Sequence, residues 1–293
     1  MKISWQRHIN EIDAVFAPCP NWDFEMTQLG GGTLGYRAFA VDLPGVMITL
    51  ETMEKPIRSL QLMRQKMFYA GLVLGQGAPV LWKGRDVYPN MPLIFGNLAH
   101  DTVLPAGCLV LNLQVAPDLA GPLGLMNLEP GLWHGHPARI QRFVQSCMAL
   151  AQTGFAPDTG DDIAWRVLGQ FLAGLDHPVC SKPSRKYDIM QRTEQLIAGQ
   201  GWDEAHCIDD LAAAVGVSRR TMHRAFKDLY GIGPQGFLRL VRLHHFRHAL
   251  LRGKPGSVTD AALDAGFDHF GRAAQYYHKQ FGELPKQTLT RAI

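Results

Sequence analysis

The sequence predicts an α+β chain in two parts: a β-rich sandwich or barrel with two helices after it, then an all-α region with two helix-turn-helix units in tandem. Three observations predict this. Up to about residue 130 the chain alternates short apolar runs with Gly/Pro turn clusters. Helical periodicity begins at Pro137 and resumes from Asp188 almost to the C-terminus. Within that last stretch one pattern of apolar residues, glycine and proline occurs twice, its turn glycines Gly216 and Gly266 lying 50 residues apart.

The β-rich part rests on the runs Gly45–Leu50, Met67–Leu74 and Cys108–Val115. They are separated by Gly30-Gly31-Gly32, Leu43-Pro44-Gly45, Pro89-Asn90 and Pro105-Ala106-Gly107, the residues that supply turns. Pro137–Gln152 then opens with a proline, which suits a first helical turn, and spaces Ile140, Phe143, Val144, Cys147 and Met148 along one face. Asp161–Leu175 opens with acidic residues, which suit a helix N-terminus, and carries an apolar stripe of Ile163, Val167, Leu168, Phe171 and Leu172. Asp176–Tyr187, with two prolines, reads as an exposed linker. The expected divisions are 1–178, a linker at 179–187, and 188–293 with helix-turn-helix units at 208–230 and 258–281.

Composition narrows the class. At 293 residues with 46% hydrophobic side chains, the chain can bury two cores. The N-terminus lacks the apolar stretch and small-residue cleavage site of a secretory leader. No run of about 18 apolar residues is present either, so no membrane span is expected and the cytoplasm is the expected location. The five cysteines are odd in number, scattered and free of C-x-x-C pairs, which argues against a disulfide framework and a cysteine-rich zinc site. Charge is divided unevenly. Residues 1–180 hold 12 Lys+Arg against 15 Asp+Glu, and residues 181–293 hold 17 against 11. A basic C-terminal part points to an anionic partner, nucleic acid first among them.

The repeat carries the chemistry. Leu211–Pro234 reads LAAAVGVSRRTMHRAFKDLYGIGP and Ala261–Pro285 reads AALDAGFDHFGRAAQYYHKQFGELP. Each has a short apolar helix, a glycine, an apolar residue (Val217 or Phe267), a second helix and G-x-x-P. Glycine supplies the positive φ that a tight interhelical turn requires. Ser218 is a good N-cap. At 100° per residue Met222, Ala225, Phe226 and Leu229 share one face of the first unit's second helix, and Arg220, His223, Arg224 and Lys227 share the other. Guanidiniums pointing away from a core are what base edges and phosphates require. The joining segment Gln235–Leu251 is amphipathic with no breaker. At 1.5 Å per residue it spans about 25 Å, enough with the offset of each unit to hold two recognition helices roughly 34 Å, one DNA turn, apart.

On these residues, S-R-R-T-M-H-R-A-F-K, G-x-x-P before the long helix, and A-G-F…F-G-x-x-P, the region from Tyr187 to Ile293 resembles the DNA-binding domain of the AraC/XylS family of bacterial regulators. The resemblance implies a seven-helix domain, sequence-specific binding of double-stranded DNA and transcriptional activation, with RNA polymerase as a partner. By position it assigns DNA contacts to Ser218, Arg219, Arg220, His223, Arg224 and Lys227, and in the second unit to Arg272, Ala274 and Gln275, with Gly271 beside them. It also implies an effector-sensing and dimerising N-terminal domain, a cupin-like barrel followed by helices. The apolar stripes of the helices at 137–152 and 161–175 make them the candidates for a homodimer interface, the alternative being that they pack against the barrel alone. An effector would act by favouring one arrangement of the domains. The second unit departs from the family: Gln275 stands where an arginine is usual, and Gly271 and Ala274 have no side-chain donors. The first unit is therefore expected to supply most base discrimination.

Other signals are weaker. His134 and His136 lie two apart, as in metal-binding barrels, but the remaining ligand pattern is missing and a loop histidine pair is expected. His244 and His248 at i, i+4 have no third ligand; a solvated or phosphate-facing helix is expected there. Gly30-Gly31-Gly32 lacks the Lys-Ser/Thr of a phosphate loop and reads as a turn. Trp22, Phe24, Tyr36, Phe68, Trp82, Tyr88 and Phe95 are candidates for a pocket, though most read as core. The competing class is an amidotransferase-like or alkyl-transfer enzyme domain fused to the DNA-binding region. Cys108, the cysteine best placed for it, precedes an apolar strand instead of a helix, and no nucleophile elbow or paired-carboxylate set is present. No catalytic residue, metal or cofactor is expected.

Overall fold

A computed structural model describes residues 4–9, 12, 22–63, 67–75, 78–96, 99–154, 159–179, 182–200, 207–252 and 257–292. Cys19 and Cys180 lie outside these residues. So do the side chains of Trp22 and Phe24, although their backbone forms a strand. The chain divides into two compact units, Met1–Met26 with Leu34–Lys182, and Thr27–Thr33 with Pro183–Ile293.

The first unit is built on two sheets. The larger joins β1 (Ser4–Ile9), β3 (Tyr36–Leu43), β4 (Val46–Thr52), β11 (Leu109–Val115), β6 (Phe68–Leu74), β9 (Leu93–Phe95), β12 (Gly131–Gly135) and β13 (Leu175–Pro178), in that spatial order. The smaller joins β2 (Trp22–Gln28), β5 (Ile57–Met63), β10 (His100–Leu104), β7 (Val80–Trp82) and β8 (Arg85–Val87). The three apolar runs read from the sequence are the central strands β4, β6 and β11. They pair antiparallel, with Leu111 opposite both Leu50 and Leu72.

Period-two alternation gives the larger sheet two different faces. One face, including Val41, Ile48, Ala70, Leu72, Leu111 and Leu113, packs against α2 (Pro137–Thr153) and α3 (Gly160–Gly174). Ile140, Phe143 and Cys147 of α2 and Val167, Leu168 and Phe171 of α3 complete that core. Both helices match the periodicity that predicted them. The other face looks toward the smaller sheet and is partly polar. In the smaller sheet Arg58 and Asp101 form a buried ion pair between β5 and β10, Nη2 to Oδ2 2.6 Å with a second bond from Nε. Each charge is compensated where water cannot reach it.

Two expectations are corrected in this unit. Leu175–Pro178, of which 176–178 were read as linker, pairs with β12 as β13. His134 stands in strand β12 and not in a loop, and His136 is the N-cap residue of α2. Both side chains are exposed.

The second unit is helical: α4 (Arg185–Gln200), α5 (Ile208–Val215), α6 (Arg219–Tyr230), α7 (Pro234–Leu251), α8 (Val258–Asp264), α9 (Phe270–Phe281) and α10 (Pro285–Ala292), following a short α1 (Pro117–Ala120) in the first unit. The linking helix α7 is not amphipathic in the expected sense. Phe237, Val241, Leu243, Phe246 and Leu250 are buried, and so are Arg242, His244 and Arg247. Packed by α6, α8, α9 and α10, it forms the spine of the unit. His244 is therefore neither solvated nor near phosphate. Its Nε2 accepts the Gln28 backbone N–H at 3.0 Å and its ring meets the Phe281 ring edge-on. His248 is exposed.

Gly30-Gly31-Gly32 is likewise more than a turn. Within the second unit, the Gly32 N–H donates to the Gln280 carbonyl at 2.9 Å, and Gln280 Nε2 donates to the Gln28 carbonyl at 2.7 Å. A Cβ at residue 31 would stand 2.6 Å from the Lys279 carbonyl oxygen. Glycine is needed there for close backbone approach.

Candidate nucleic-acid interface

Each helix-turn-helix is shaped by its turn glycine. Gly216 ends α5 with φ 74°. The Val217 N–H donates to Ala212 O, closing the helix, and Ser218 then restarts the chain as the N-cap of α6. Its Oγ accepts the Thr221 N–H at 3.1 Å. The second turn repeats this geometry, with Gly266 at φ 78° and the Phe267 N–H donating to Ala262 O. Phe267 is fully buried and wedges the second pair of helices. Ser257 caps α8 by accepting the Asp260 N–H. Gly231 and Gly282, at φ 73° and 75°, end α6 and α9, and Pro234 and Pro285 begin α7 and α10.

The Ser218 cap yields a stability prediction. Ser218→Ala leaves one N-terminal amide of α6 without its partner and should lower the stability of the unit by about 1 kcal/mol, measurable by urea unfolding of the full chain.

On α6, Met222, Ala225, Phe226, Leu229 and Tyr230 are buried. Arg219, Arg220, His223, Arg224, Lys227 and Asp228 line a single exposed hollow on the opposite side. Two of these cations have carboxylates nearby. Arg219 Nη1 meets Asp209 Oδ2 at 2.9 Å, and Arg224 Nε lies 3.8 Å from Asp228 Oδ2. Exposed pairs of this kind contribute little and yield readily to a stronger anion. The His223 ring leans over the α6–α7 turn, where a Cβ on Gly233 would lie 2.7 Å from Nε2. Gly233 thus gives the imidazole its place.

The second recognition helix, α9, presents less. Gly271, Arg272 and Gln275 are exposed and Ala274 is partly so. Its N-cap residue, His269, makes no side-chain capping bond. Behind the exposed face, Tyr277 is buried and its hydroxyl lies 2.7 Å from Thr288 Oγ1. All nine predicted contact residues thus fall on or at the start of the two helices, six around α6 and three on α9. Sequence reasoning missed Asp228 at the edge of the basic hollow. The i, i+4 spacing to Arg224 was the signal that could have found it.

Among the described residues no group of three or more His, Cys, Asp or Glu side chains is placed to hold a metal ion. No helix among them is long and apolar enough to cross a membrane.

Comparison with known sequences agrees with the helix-turn-helix geometry. A protein-family model described as a helix-turn-helix domain matches residues 211–291. The HTH-type transcriptional activator RhaS of Klebsiella pneumoniae (strain 342) is 30% identical over 194 residues, covering 61% of this chain and 68% of the relative. RhaS of Shigella boydii serotype 18 is 36% identical over 193 residues with the same coverage. Among solved structures, a probable AraC family transcriptional regulator from Rhodopseudomonas palustris CGA009 is 36% identical over 36% of this chain and 97% of its own, with a TM-score of 0.33. The two RhaS relatives are HTH-type transcriptional activators.

Proposed function

The chain belongs to the AraC/XylS family of DNA-binding transcriptional regulators, and from that premise we propose that it activates transcription by laying α6 and α9 into two successive major grooves of its operator. The observation that carries this reading is the exposed basic face of α6, Arg220, His223, Arg224 and Lys227, set on a helix whose other face is buried. Arginine reads guanine edges with two hydrogen bonds, so Arg220 and Arg224 are the main base readers. Ser218, Arg219 and Lys227 hold phosphates, as does Arg272. Gln275 pairs with adenine and Ala274 touches a thymine methyl, a smaller share of the discrimination. At 18 residues α7 is about 27 Å long, a spacer that suits recognition helices one turn of DNA apart.

In this reading the first unit senses a small-molecule effector and dimerises through α2 and α3, and RNA polymerase is the downstream partner. Effector binding shifts the population between forms of unequal DNA affinity. The expected division 1–178, linker 179–187 and 188–293 is adjusted in this reading: the second compact unit takes in Pro183 onward together with Thr27–Thr33, and α4 already begins at Arg185 inside the expected linker.

Selection of bound sequences from a random duplex pool, with full-length protein at near-physiological salt, tests the proposal. The expected motif has contacts spread over about two helical turns. Binding should weaken steeply as salt rises, because released counterions drive it. Absence of enrichment both with the full-length protein and with residues 181–293 alone, which no effector-dependent domain restrains, would refute the reading.

A further inference from the structure

The polar face of the larger sheet bounds a cavity between the two sheets of the first unit, with about 90 Å3 open to the centre of a water molecule. Most of its wall is apolar, including Tyr69, Phe95, Ile57 and Val80. Tyr69 and Phe95 meet edge to face at 4.7 Å between ring centres. Into this space points Glu51. The alternation that buries Ile48 under the helices turns Glu51, Asn112 and Gln114 inward on the neighbouring strands β4 and β11. Gly71 lies opposite Asn112. A Cβ there would rest in ordinary contact with Asn112 Oδ1 and the Phe95 ring, both at 3.4 Å, so an alanine would fill space that the glycine leaves to the cavity.

Glu51 retains accessible surface because it lines the cavity, while its carboxyl lies deep in the unit. Burial pushes it up to about 7, against hydrogen bonds from Asn112 and Tyr36 that favour the ionised form. Those two partners decide what is missing. An amide N–H and a phenol O–H directed at a carboxyl are what an anion requires. Ser59, Gln61 and Thr102 across the cavity bond among themselves and the β5 backbone. Among the described residues no Lys, Arg or His lines the cavity. A buried carboxylate without a cation is costly, and a cation brought by a ligand removes that cost.

We infer that this cavity binds a small organic amine, its ammonium paired with Glu51 and its apolar body against Tyr69 and Phe95. This deepens the proposed sensing role of the first unit and rests on it. A water requires about 10–15 Å3 on the same measure, so the ligand holds roughly six to nine non-hydrogen atoms. A second hollow, lined by Gly75, Pro79, Tyr88 and Gly107, shares Val73 and Val87 with the cavity and adjoins it.

Calorimetric titration of the full-length protein with pentylamine, benzylamine and 2-phenylethylamine, each beside its alcohol counterpart, tests the inference. At least one amine is expected to bind tenfold or more tighter than its alcohol, and Glu51→Gln to weaken that amine at least tenfold. Affinity should also rise about tenfold from pH 6 to pH 8, as Glu51 ionises while the amine stays protonated. The other titratable groups facing Glu51 are the Tyr36 and Tyr69 hydroxyls, from β3 and β6, and the Cys108 thiol, which burial and the Glu51 charge push up to about 11. Alcohols binding as tightly as amines, amines indifferent to Glu51→Gln, or no binding by any of the three would overturn it. DNA binding measured on the same samples separates the two readings. Specific DNA binding without amine binding refutes only the ligand, whereas amine binding without specific DNA binding refutes the regulator.

Discussion

Arg224→Ala weakens binding to the selected operator by about 1–3 kcal/mol and relaxes preference at one base position, and Arg220→Ala does the same at a neighbouring position. The reason lies in what each side chain gives up. Both guanidiniums stand on the exposed face of α6, and the nearest carboxylate to Arg224 is 3.8 Å away in solvent. Little is lost in exchanging that partner for a guanine edge, so most of the bidentate contact appears as discrimination. Gln275→Ala on α9 should cost less, because one adenine contact on a helix flanked by Gly271 and Ala274 supports less reading. Lys227→Ala should weaken all sequences alike and reduce the salt dependence by about one ion. Competition assays with single-base operator variants measure all four. If Gln275→Ala flattens specificity more than Arg224→Ala, the division of labour between the helices is the reverse of that proposed.

Arg247→Met destabilises the second unit by about 2–3 kcal/mol, somewhat under the cost of breaking a fully buried pair. Arg247 is 2% exposed and joins three elements. Its Nη1 meets Glu283 Oε1 at 2.6 Å and donates to the Tyr277 hydroxyl at 3.3 Å, and the guanidinium lies over the Phe281 ring. These contacts tie the spine helix α7 to the end of α9 and the start of α10. The loss is moderated because Arg291 and Thr288 still reach Glu283. Burial opposes ionisation of Glu283, but the hydrogen bonds from Arg247, Thr288 and Arg291 outweigh it and hold the carboxyl below its usual range. A group depressed in the folded state stabilises above its unfolded value and ceases to do so as pH falls through the folded one. The wild-type advantage over Arg247→Met should therefore be full at pH 7 and shrink below about pH 4.5, the ordinary carboxyl value. Urea unfolding at several pH values reads this difference. An advantage independent of pH would mean that packing, not the charge pair, carries the effect.

Where local rules act alone, the sequence was legible. Ser218 capping α6, Gly216 and Gly266 at positive φ, and the split of α6 into a buried Met222–Phe226 side and an exposed Arg220–Lys227 side follow from cap chemistry and the 3.6-residue period. Strands β4, β6 and β11 follow from apolar runs between turn residues. What escaped depends on contacts distant in sequence. His244 reads as part of a solvated or phosphate-facing helix because imidazole is polar; only the helices packed around α7 bury it, and Arg242 and Arg247 with it. Gly31 reads as a turn because its neighbour, the Lys279 carbonyl, lies 248 residues away. Asp176–Pro178 looked like linker because the partner strand β12 lies some forty residues earlier. Glu51 had a usable signal, since alternation in VMITLET sets Thr49 and Glu51 opposite Ile48 and Leu50. A second sheet was needed to show that the polar side also faces inward.

The central claim is that one chain reads two successive major grooves, with α6 and α9 as the readers. Missing-base interference on the selected operator, which reports contacts to all four bases, tests it most directly with full-length wild type and with the Arg220/Arg224 double alanine variant. Two major-groove windows on one face of the duplex are expected, centred about 10 base pairs apart, with the window under α6 lost in the variant and the other retained. A single window, or two windows on opposite faces, would contradict it.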